Sequence, residues 1–138
     1  MKKIIPFLFL LISTTLFSQD GIKFGKQSFA KTLEQAKKEN KLIFLDAFAS
    51  WCGPCKLLDK NVFPKKEVGD YFNANFLNLH IDMEKGEGIE IAKKYGIYSY
   101  PTLLFIDGDG KVVYKAAGYM SPQELISIAK EAVNPENT

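Results

Sequence analysis

The sequence predicts an α/β domain in which a central mixed sheet carries helices on both faces. Residues 41–49, KLIFLDAFA, are apolar on both sides of the chain, which is typical of a strand buried between two layers of helices. Helix-forming and strand-forming segments alternate along the chain, a pattern that favours a parallel sheet. The turn residues DGDG at 107–110 join two further strands as an antiparallel pair. The expected order of elements is β-α-β-α-β-α-β-β-α.

Four helical segments follow from apolar residues at helical spacing between residues that favour helix starts and stops. Ser28 is suited to cap the first of them and Asn40 to end it. Pro54 fits the first turn of the second, where a missing backbone N–H costs no hydrogen bond. The predicted helices cover residues 29–39, 52–72 with a break near Pro64, 89–95 and 122–133.

The strands are predicted from alternating or continuous apolar residues between turn signals. Asp46 lies in the middle of the most apolar of them, so a buried carboxyl group is expected there. The segment at 21–27 is interpreted as a short strand or an irregular lead-in. The predicted strands after it cover residues 41–49, 75–82, 101–107 and 111–117.

The first eighteen residues are expected to be a signal peptide. Lys2 and Lys3 precede an apolar run over 4–12, and a stretch of small residues then ends at Ser18, the predicted cleavage point. The alternative is an N-terminal membrane anchor, although the apolar run is shorter than a usual membrane span. We therefore expect residues 19–138 to form one domain that is periplasmic or secreted.

Composition narrows the classes of partner. The chain has 138 residues, enough for one domain. Without residues 1–18 it keeps 16 of its 18 Lys against 16 acidic residues, because only Lys2 and Lys3 are removed. A nearly neutral protein without Arg gives no indication of a nucleic-acid partner. We expect a monomer, and no nicotinamide or flavin motif indicates a cofactor.

Cys52 and Cys55 are the only two cysteines, and they can form a redox couple, half of a metal site or a structural staple. A loop of two intervening residues restricts the unfolded chain too little to make a good staple. A tetrahedral zinc site needs two more ligands, and His80 is the only histidine. Lys56 stands where a c-type haem site needs His. The redox couple is the favoured interpretation, with no metal bound.

Four features together resemble the thioredoxin family. They are WCGPCK at 51–56, YPT at 100–102, Gly118 after the predicted hairpin, and Asp46 six positions before the first cysteine. The resemblance covers residues 28–133 and implies a thioredoxin fold. The longer stretches at 41–63 and 82–107 are similar to exported thioredoxin-like domains related to the C-terminal domain of the membrane reductase DsbD.

The resemblance implies a role for each residue of the motif. Cys52, at the start of a helix, is the expected nucleophile, since the helix N-terminus favours an anion. Cys55 is the expected resolving thiol, and Cys52–Cys55 the redox-active disulfide. Gly53 and Pro54 form the dipeptide of the reducing members of the family, which favours a reductant.

Asp46 is expected to be buried and to accept the proton of Cys55 as that thiol is activated. Burial raises the pKa of a carboxyl group, which suits it to this task. In thioredoxin a lysine of the neighbouring strand pairs with this acid, and the matching position here is Asn78. His80 is interpreted as an ordinary strand residue.

The resemblance also places Pro101 opposite the cysteines, and it implies a cis proline there with the substrate groove around it. A cis bond there exposes the backbone of Tyr100 for pairing with an extended substrate. Tyr95 and Tyr98 are candidates, with Tyr100, for an apolar lip, although core packing is expected to explain at least one of the three. The predicted groove residues are Trp51, Gly53, Pro54, Tyr100, Pro101 and Gly118.

These features predict an exported thiol–disulfide oxidoreductase that reduces disulfide-bearing proteins and receives electrons from a membrane thiol carrier. Within the same chemistry, the alternative is an oxidant or isomerase of disulfides. From another class, the alternative is a module that binds Cu(I) or a client thiol without turnover, although the chain lacks a Met/His ligand cluster for copper.

Overall fold

The computed structural model describes residues 2, 3, 20–134 and 136. The predicted signal peptide and its cleavage point at Ser18 lie outside the described residues, apart from Lys2 and Lys3. Within the described part of the chain, none of the helices is long and apolar enough to cross a membrane.

The described residues form five helices and four strands. Side-chain hydroxyl caps begin two of the helices, at Ser28 and at Ser121, because the hydroxyl of each accepts a backbone N–H from the first turn. Asn40 ends the first helix in the left-handed conformation, as its type favours. The elements are α1 Phe29–Glu39, β1 Leu42–Phe48, α2 Gly53–Asn61, α3 Lys66–Asn75, β2 Phe76–Asp82, α4 Gly88–Tyr95, β3 Thr102–Ile106, β4 Val112–Ala117 and α5 Pro122–Val133.

The four strands form one mixed sheet in the order β2-β1-β3-β4. Only β1 and β2 are parallel, whereas β1 with β3 and β3 with β4 are antiparallel. The expectation of a parallel sheet with one antiparallel pair is therefore wrong at β3. Helix α4 has eight residues, about 12 Å of helix against about 23 Å for the seven residues of β2. It does not return the chain along the sheet, so β3 begins at the end where β2 stops.

Residues 21–27 are an irregular lead-in, and the additional first strand in the expected order is wrong. The segment makes a single backbone hydrogen bond to β2, from Gly25 N–H to the Asn78 carbonyl oxygen at 2.8 Å. A second bond, from Ile22 N–H to the Phe63 carbonyl oxygen, ties it to the turn after α2. Isolated bonds of this kind hold a segment in place without making a ladder.

Two apolar layers lie on opposite faces of the sheet, as the apolar strand at 41–49 predicted. Alternate residues of β1 enter different layers, because successive side chains of a strand point to opposite faces. Phe44 packs with residues of α2, α3 and α5, whereas Ile43 and Leu45 pack with residues of α1 and α4. By the same alternation Asp46 and Phe48 share the face of Phe44, which is the face that α2 covers.

Candidate functional site

The two cysteines lie at the beginning of α2, as predicted. Cys52 is the N-cap residue, and its Sγ accepts the backbone N–H of Cys55 at 3.2 Å. Pro54 occupies the first turn of the helix, where no N–H is needed. Cys52 and Cys55 are joined as a disulfide. The free N–H groups and the positive end of the helix dipole therefore surround the sulfur of Cys52, which favours its thiolate form when the disulfide is reduced.

The disulfide is shielded from solvent. Both cysteines are buried together with Ala49, and the side chains of Phe48 and Tyr100 pack against them. Gly53 and Pro54, between the two cysteines, are exposed. The outer surface of the motif is thus open, while the sulfur atoms lie beneath it.

Contacts connect several of the predicted groove residues beside the disulfide. The Tyr100–Pro101 peptide bond is cis, as expected. The Gly118 N–H donates to the Pro101 carbonyl oxygen at 2.9 Å, which fixes the start of the glycine turn next to the proline. The Tyr100 ring lies edge-on to the Trp51 ring, with 5.9 Å between ring centroids. Trp51, Tyr100, Pro101 and Gly118 are therefore linked by these contacts, with Pro101 itself buried.

The three tyrosines predicted for the apolar lip differ in their surroundings. Tyr98 is 90% exposed, and Tyr100 is partly buried against the cysteines. Tyr95 belongs elsewhere, because its ring packs in the layer beneath α1 and α4 and its hydroxyl donates to the Gly110 carbonyl oxygen at 2.9 Å. Core packing therefore explains Tyr95, as expected for at least one of the three tyrosines.

Trp51 has a partner that its sequence position does not indicate. The side chain is 66% exposed, yet its Nε1–H donates to Glu84 Oε1 at 2.6 Å. Glu84 follows β2 in a polar turn, where a surface acid is unremarkable by sequence alone. Together with the Tyr100 ring, this hydrogen bond holds the indole at the edge of the groove.

Asp46 is buried in the central strand, as predicted, and one of its oxygens is paired. Oδ2 lies 2.6 Å from His80 Nδ1, whereas Oδ1 is buried without a hydrogen-bond partner among the described residues. Burial raises the pKa of Asp46 above its ordinary value, and the hydrogen bond and charge of His80 oppose that rise. The nearby Asp59 carboxyl raises it further.

His80, and not position 78, supplies the partner of the acid. In the parallel register Asp46 lies opposite His80, and Asn78 lies opposite Phe44. The Asn78 Nδ2 donates instead to the Phe72 carbonyl oxygen at 3.3 Å. The alternation within residues 75–82 places positions 78 and 80 on the same face of the strand. The sequence therefore predicts the face from which the partner of Asp46 comes, but not the register between β1 and β2 that selects His80.

The His80 ring is held between aromatic and acidic groups. It stacks on Phe48 with 3.9 Å between centroids and 15° between planes, and its side chain keeps 27% exposure. Burial lowers the pKa of His80, but the hydrogen bond to Asp46 and the charges of Asp46, Asp59 and Asp82 outweigh burial and raise it overall. The raised pKa of His80 favours its cationic form, whereas the raised pKa of Asp46 works against its anionic form.

Among the described residues, Asp46, Asp59 and His80 form a cluster that could offer ligands to a cation. One atom from each lies within 4.8 Å of the others. The His80 nitrogen nearest both carboxyl groups is Nδ1, which already bonds Asp46 at 2.6 Å, with Asp59 Oδ1 at 4.0 Å. Binding of a cation through that nitrogen would replace the hydrogen bond, so we treat the cluster as a carboxyl–imidazole pair.

Comparison with known proteins agrees with this geometry. The sequence matches the family profile of the thioredoxin-like domain over residues 29–132. It is 34% identical to a thioredoxin of Mycoplasmoides gallisepticum over 98 residues, which are 71% of this chain and 91% of that protein. It is 28% identical to the thiol:disulfide interchange protein DsbD of Campylobacter jejuni over 151 residues, covering 91% of this chain and 26% of DsbD. The chain thus spans about a quarter of DsbD.

The solved structures include one with substantial sequence identity. A candidate disulphide-isomerase from Bacteroides thetaiotaomicron superposes with a TM-score of 0.74 and 51% identity, over 85% of this chain and 97% of that one. The cysteine pair at the start of α2, the fold and these similarities lead to one conclusion. The chain belongs to the thioredoxin-like family and is a protein-disulfide oxidoreductase.

Proposed function

We propose that this protein is an exported reductant of disulfide-bearing proteins, with Cys52 as nucleophile and Cys55 as resolving thiol. The observation that carries the proposal is the position of Cys52 Sγ, which caps α2 and accepts the Cys55 N–H at 3.2 Å. A hydrogen bond and a helix dipole directed at this sulfur stabilise its thiolate. The thiolate is the reactive form in disulfide exchange.

The reaction takes place in two exchanges. The Cys52 thiolate attacks one sulfur of the substrate disulfide, forming a mixed disulfide and releasing the other substrate sulfur as a thiolate. Cys55 then loses its proton and attacks Cys52, so that the Cys52–Cys55 bond forms and the second substrate sulfur leaves. Two electrons pass from the dithiol to the substrate, and each released thiolate takes up a proton.

Asp46 is the proposed acceptor of the Cys55 proton. Its carboxyl group is buried on the face of the sheet that α2 covers, and its Oδ1 has no other hydrogen-bond partner among the described residues. Burial favours the protonated carboxyl group, so transfer of a proton to it is less unfavourable than transfer to an exposed acid.

The groove is the proposed binding surface for an extended segment of the substrate. Trp51 and Tyr98 supply exposed aromatic surface, and the cis Tyr100–Pro101 bond lies beside the disulfide. Gly118 leaves the opposite side open, since a side chain added there would meet no atom within 4 Å. Gly53 and Pro54 complete the exposed part of the surface.

The proposed direction of electron transfer and the proposed export of the protein rest on different observations. The Gly53–Pro54 dipeptide favours the reducing direction, and residues 1–18 have the composition of a signal peptide. Export requires an electron source outside the cytoplasm, for which we propose a membrane thiol carrier. The similarity to part of DsbD supports a partner of this class.

A second candidate function is that of a disulfide isomerase. The candidate disulphide-isomerase from Bacteroides thetaiotaomicron, with 51% identity, is the observation that favours it. An isomerase uses the same first exchange but releases its substrate after the substrate's own thiols have rearranged. The two functions are therefore separated by whether Cys55 completes the reaction.

The test is turnover of a disulfide protein together with a single-cysteine trap. Insulin serves as substrate and dithiothreitol as electron source. The unmodified protein should reduce insulin catalytically, and Cys55→Ser should accumulate a mixed disulfide through Cys52, visible as a shifted band without reductant. Cys52→Ser is the matched control and should form none.

The outcomes discriminate between the candidates. Catalytic reduction that is lost in both single-cysteine variants supports the reductase. Rearrangement of a scrambled disulfide protein that survives in Cys55→Ser supports the isomerase. Absence of both turnover and trapping would leave a binding module and contradict the proposal.

A further inference from the structure

The pair formed by Asp46 and His80 has a geometry that the disulfide alone does not require. The carboxyl group is buried in the central strand, and its Oδ2 lies 2.6 Å from His80 Nδ1. Its other oxygen, Oδ1, is buried and has no partner among the described residues. A buried oxygen of this kind is usually paired, so Oδ1 is open to a partner such as a water or the proton of Cys55.

The face of α2 that is turned towards Asp46 and His80 also carries the resolving cysteine. Cys55 and Asp59 are four residues apart and therefore lie on one face of the helix, one turn from each other. Asp59 Oδ1 lies 4.0 Å from His80 Nδ1, so this face is turned towards the pair. Leu58, between them on the helix, is fully buried.

Phe48 joins the pair to the disulfide from the side of the sheet. Its ring stacks on the His80 ring at 3.9 Å, and the same side chain packs against the cluster of Cys52 and Cys55. The disulfide, Phe48, His80 and Asp46 therefore form one contiguous group. Phe48 thus connects the charged pair to the cysteines.

We propose that His80 is the positioning residue of the resolving step, holding Asp46 as an anion so that Oδ1 is free to take the Cys55 proton. This inference rests on the two-exchange reaction proposed above. In the step, the S–H bond of Cys55 breaks and an O–H bond forms at Asp46. The Cys55 sulfur bonds to Cys52, and the substrate sulfur leaves with the electron pair of the mixed disulfide.

The charged groups around the pair act in opposite directions. His80 lowers the pKa of Asp46 through its hydrogen bond and its charge, whereas burial and the Asp59 carboxyl raise it. Asp82, the acid at the end of β2, acts on His80 and raises its pKa. The neighbouring strand β3 and the lead-in bring apolar groups, Leu103 opposite Asp46 and Phe24 at 5.2 Å from the His80 ring.

His80 and Asp59 have opposite effects on the pKa of Asp46, so substitutions at these two positions form a matched pair of variants. His80→Asn keeps an N–H donor near the position of Nδ1 but removes the positive charge, so Asp46 should become protonated at higher pH. Asp59→Asn removes a negative charge of similar size from the other side and should have the reverse effect. His80→Lys restores a cation and should return the behaviour towards that of the unmodified protein.

The experiment separates the two exchanges in time. Reduced protein is mixed with 5,5′-dithiobis(2-nitrobenzoate), and the absorbance of released thionitrobenzoate is followed by stopped flow between pH 5 and pH 9. Attack by Cys52 releases the first thionitrobenzoate, and attack by Cys55 on the mixed disulfide releases the second. The second phase therefore reports the resolving step alone.

The rate of the second phase should fall at low pH, where Asp46 is protonated, and we call this fall the acid limb. In His80→Asn we expect the acid limb to move to higher pH by about one unit or more, since a charge-assisted hydrogen bond has an effect of this size on the pKa of a buried carboxyl group. The limb should move down in Asp59→Asn and return towards its original position in His80→Lys. The first phase should keep its pH dependence in all three variants.

Two failures are distinguishable. If the unmodified protein releases only one thionitrobenzoate, the two-exchange reaction itself is wrong. If it releases both, and the acid limb stays in place in His80→Asn and in Asp59→Asn, the role of His80 is wrong while the proposed function stands. If His80→Asn does not fold, the downward shift in Asp59→Asn still decides whether the charge around Asp46 sets the pH dependence.

Discussion

His80 Nδ1 lies 2.6 Å from Asp46 Oδ2, so that an edge strand supplies the partner of the one carboxyl group buried in the apolar run of the central strand. The pKa of each group is raised, that of Asp46 chiefly by burial and that of His80 by its bond to Asp46 and by the surrounding acids against the effect of burial. The contact thus links the stability of the fold to the protonation of the site.

Stability should fall with rising pH because of this pair. A raised His80 pKa means that its contribution is complete below about pH 6.5, the unfolded value, and is lost as pH rises through the folded value. The raised pKa of Asp46 also makes stability fall as pH rises. Between about pH 3.9, the unfolded pKa, and the folded pKa, the folded state binds more protons than the unfolded state.

The check is urea unfolding of oxidised protein and of Asp46→Asn at pH 5 and pH 8.5. The difference in unfolding free energy, variant minus unmodified, should increase with pH by about 1 kcal/mol or more. Using the oxidised form excludes titration of the cysteines. A difference that is constant with pH would show that the pair does not titrate in this range.

Leu57 and Leu58 allow a test of the packing behind the disulfide. Leu58 is 0% exposed in the layer beneath α2, whereas Leu57 is 47% exposed on the same helix. Leu58→Ala should cost about 2–5 kcal/mol because it leaves a cavity, and Leu57→Ala about 0.5 kcal/mol or less. Urea unfolding of both variants measures this, and helix propensity cancels because the substitution is the same. Equal losses of unfolding free energy in the two variants would contradict the orientation of α2 in the structure.

Trp51 is expected to act in substrate binding and not in folding. Its indole is exposed but held by Glu84 and Tyr100, which prepares an aromatic contact surface. Trp51→Ala should lower kcat/KM for insulin reduction about tenfold, the effect of losing an aromatic contact of about 1.4 kcal/mol or more. The melting temperature should change little.

The matched control for Trp51 is Val133→Ala, which truncates an exposed apolar side chain at the end of α5. It should leave kcat/KM unchanged. A loss of kcat/KM in Val133→Ala as large as in Trp51→Ala would contradict a role for the groove.

Gly118 and Gly53 should respond differently to a methyl group. Gly118 has a φ of 89°, and a Cβ there would meet nothing within 4 Å, so the cost of Gly118→Ala is that of the backbone conformation alone. We expect a loss of about 1–2 kcal/mol. Gly53 begins α2 with open space around it, so Gly53→Ala should be neutral or stabilising by up to about 1 kcal/mol.

Thermal and urea unfolding of the oxidised variants measure this difference. A Gly118→Ala variant as stable as Gly53→Ala would mean that the turn after β4 does not need a positive φ.

Features set by local chemistry could be predicted from the sequence. Ser28 and Asn40 bound α1 because their side chains and backbone preferences fit a helix start and a left-handed end. Pro64 separates two helices, and Cys52 begins the second helix of the chain, both as expected. The burial of Asp46 followed from the apolar residues on either side of it.

Features set by pairing between distant segments could not be predicted from the sequence. The antiparallel direction of β3 depends on how far α4 carries the chain, and the partner of Asp46 depends on a register between β1 and β2. A shift of two positions in that register exchanges His80 for Asn78 on the same face of the strand. The bond from Trp51 to Glu84 depends in the same way on how the turn after β2 meets the start of α2.

The central claim, a reductant built on Cys52 and Cys55, is tested most directly by the reduction potential of that pair. The protein is equilibrated in dithiothreitol and glutathione buffers of known potential, and the reduced fraction is read from the mass added by a thiol alkylating reagent. The account predicts a value near the about −270 mV of thioredoxin. A value between the about −180 mV of protein disulfide isomerase and the about −120 mV of DsbA would contradict it and make the protein an isomerase or an oxidant.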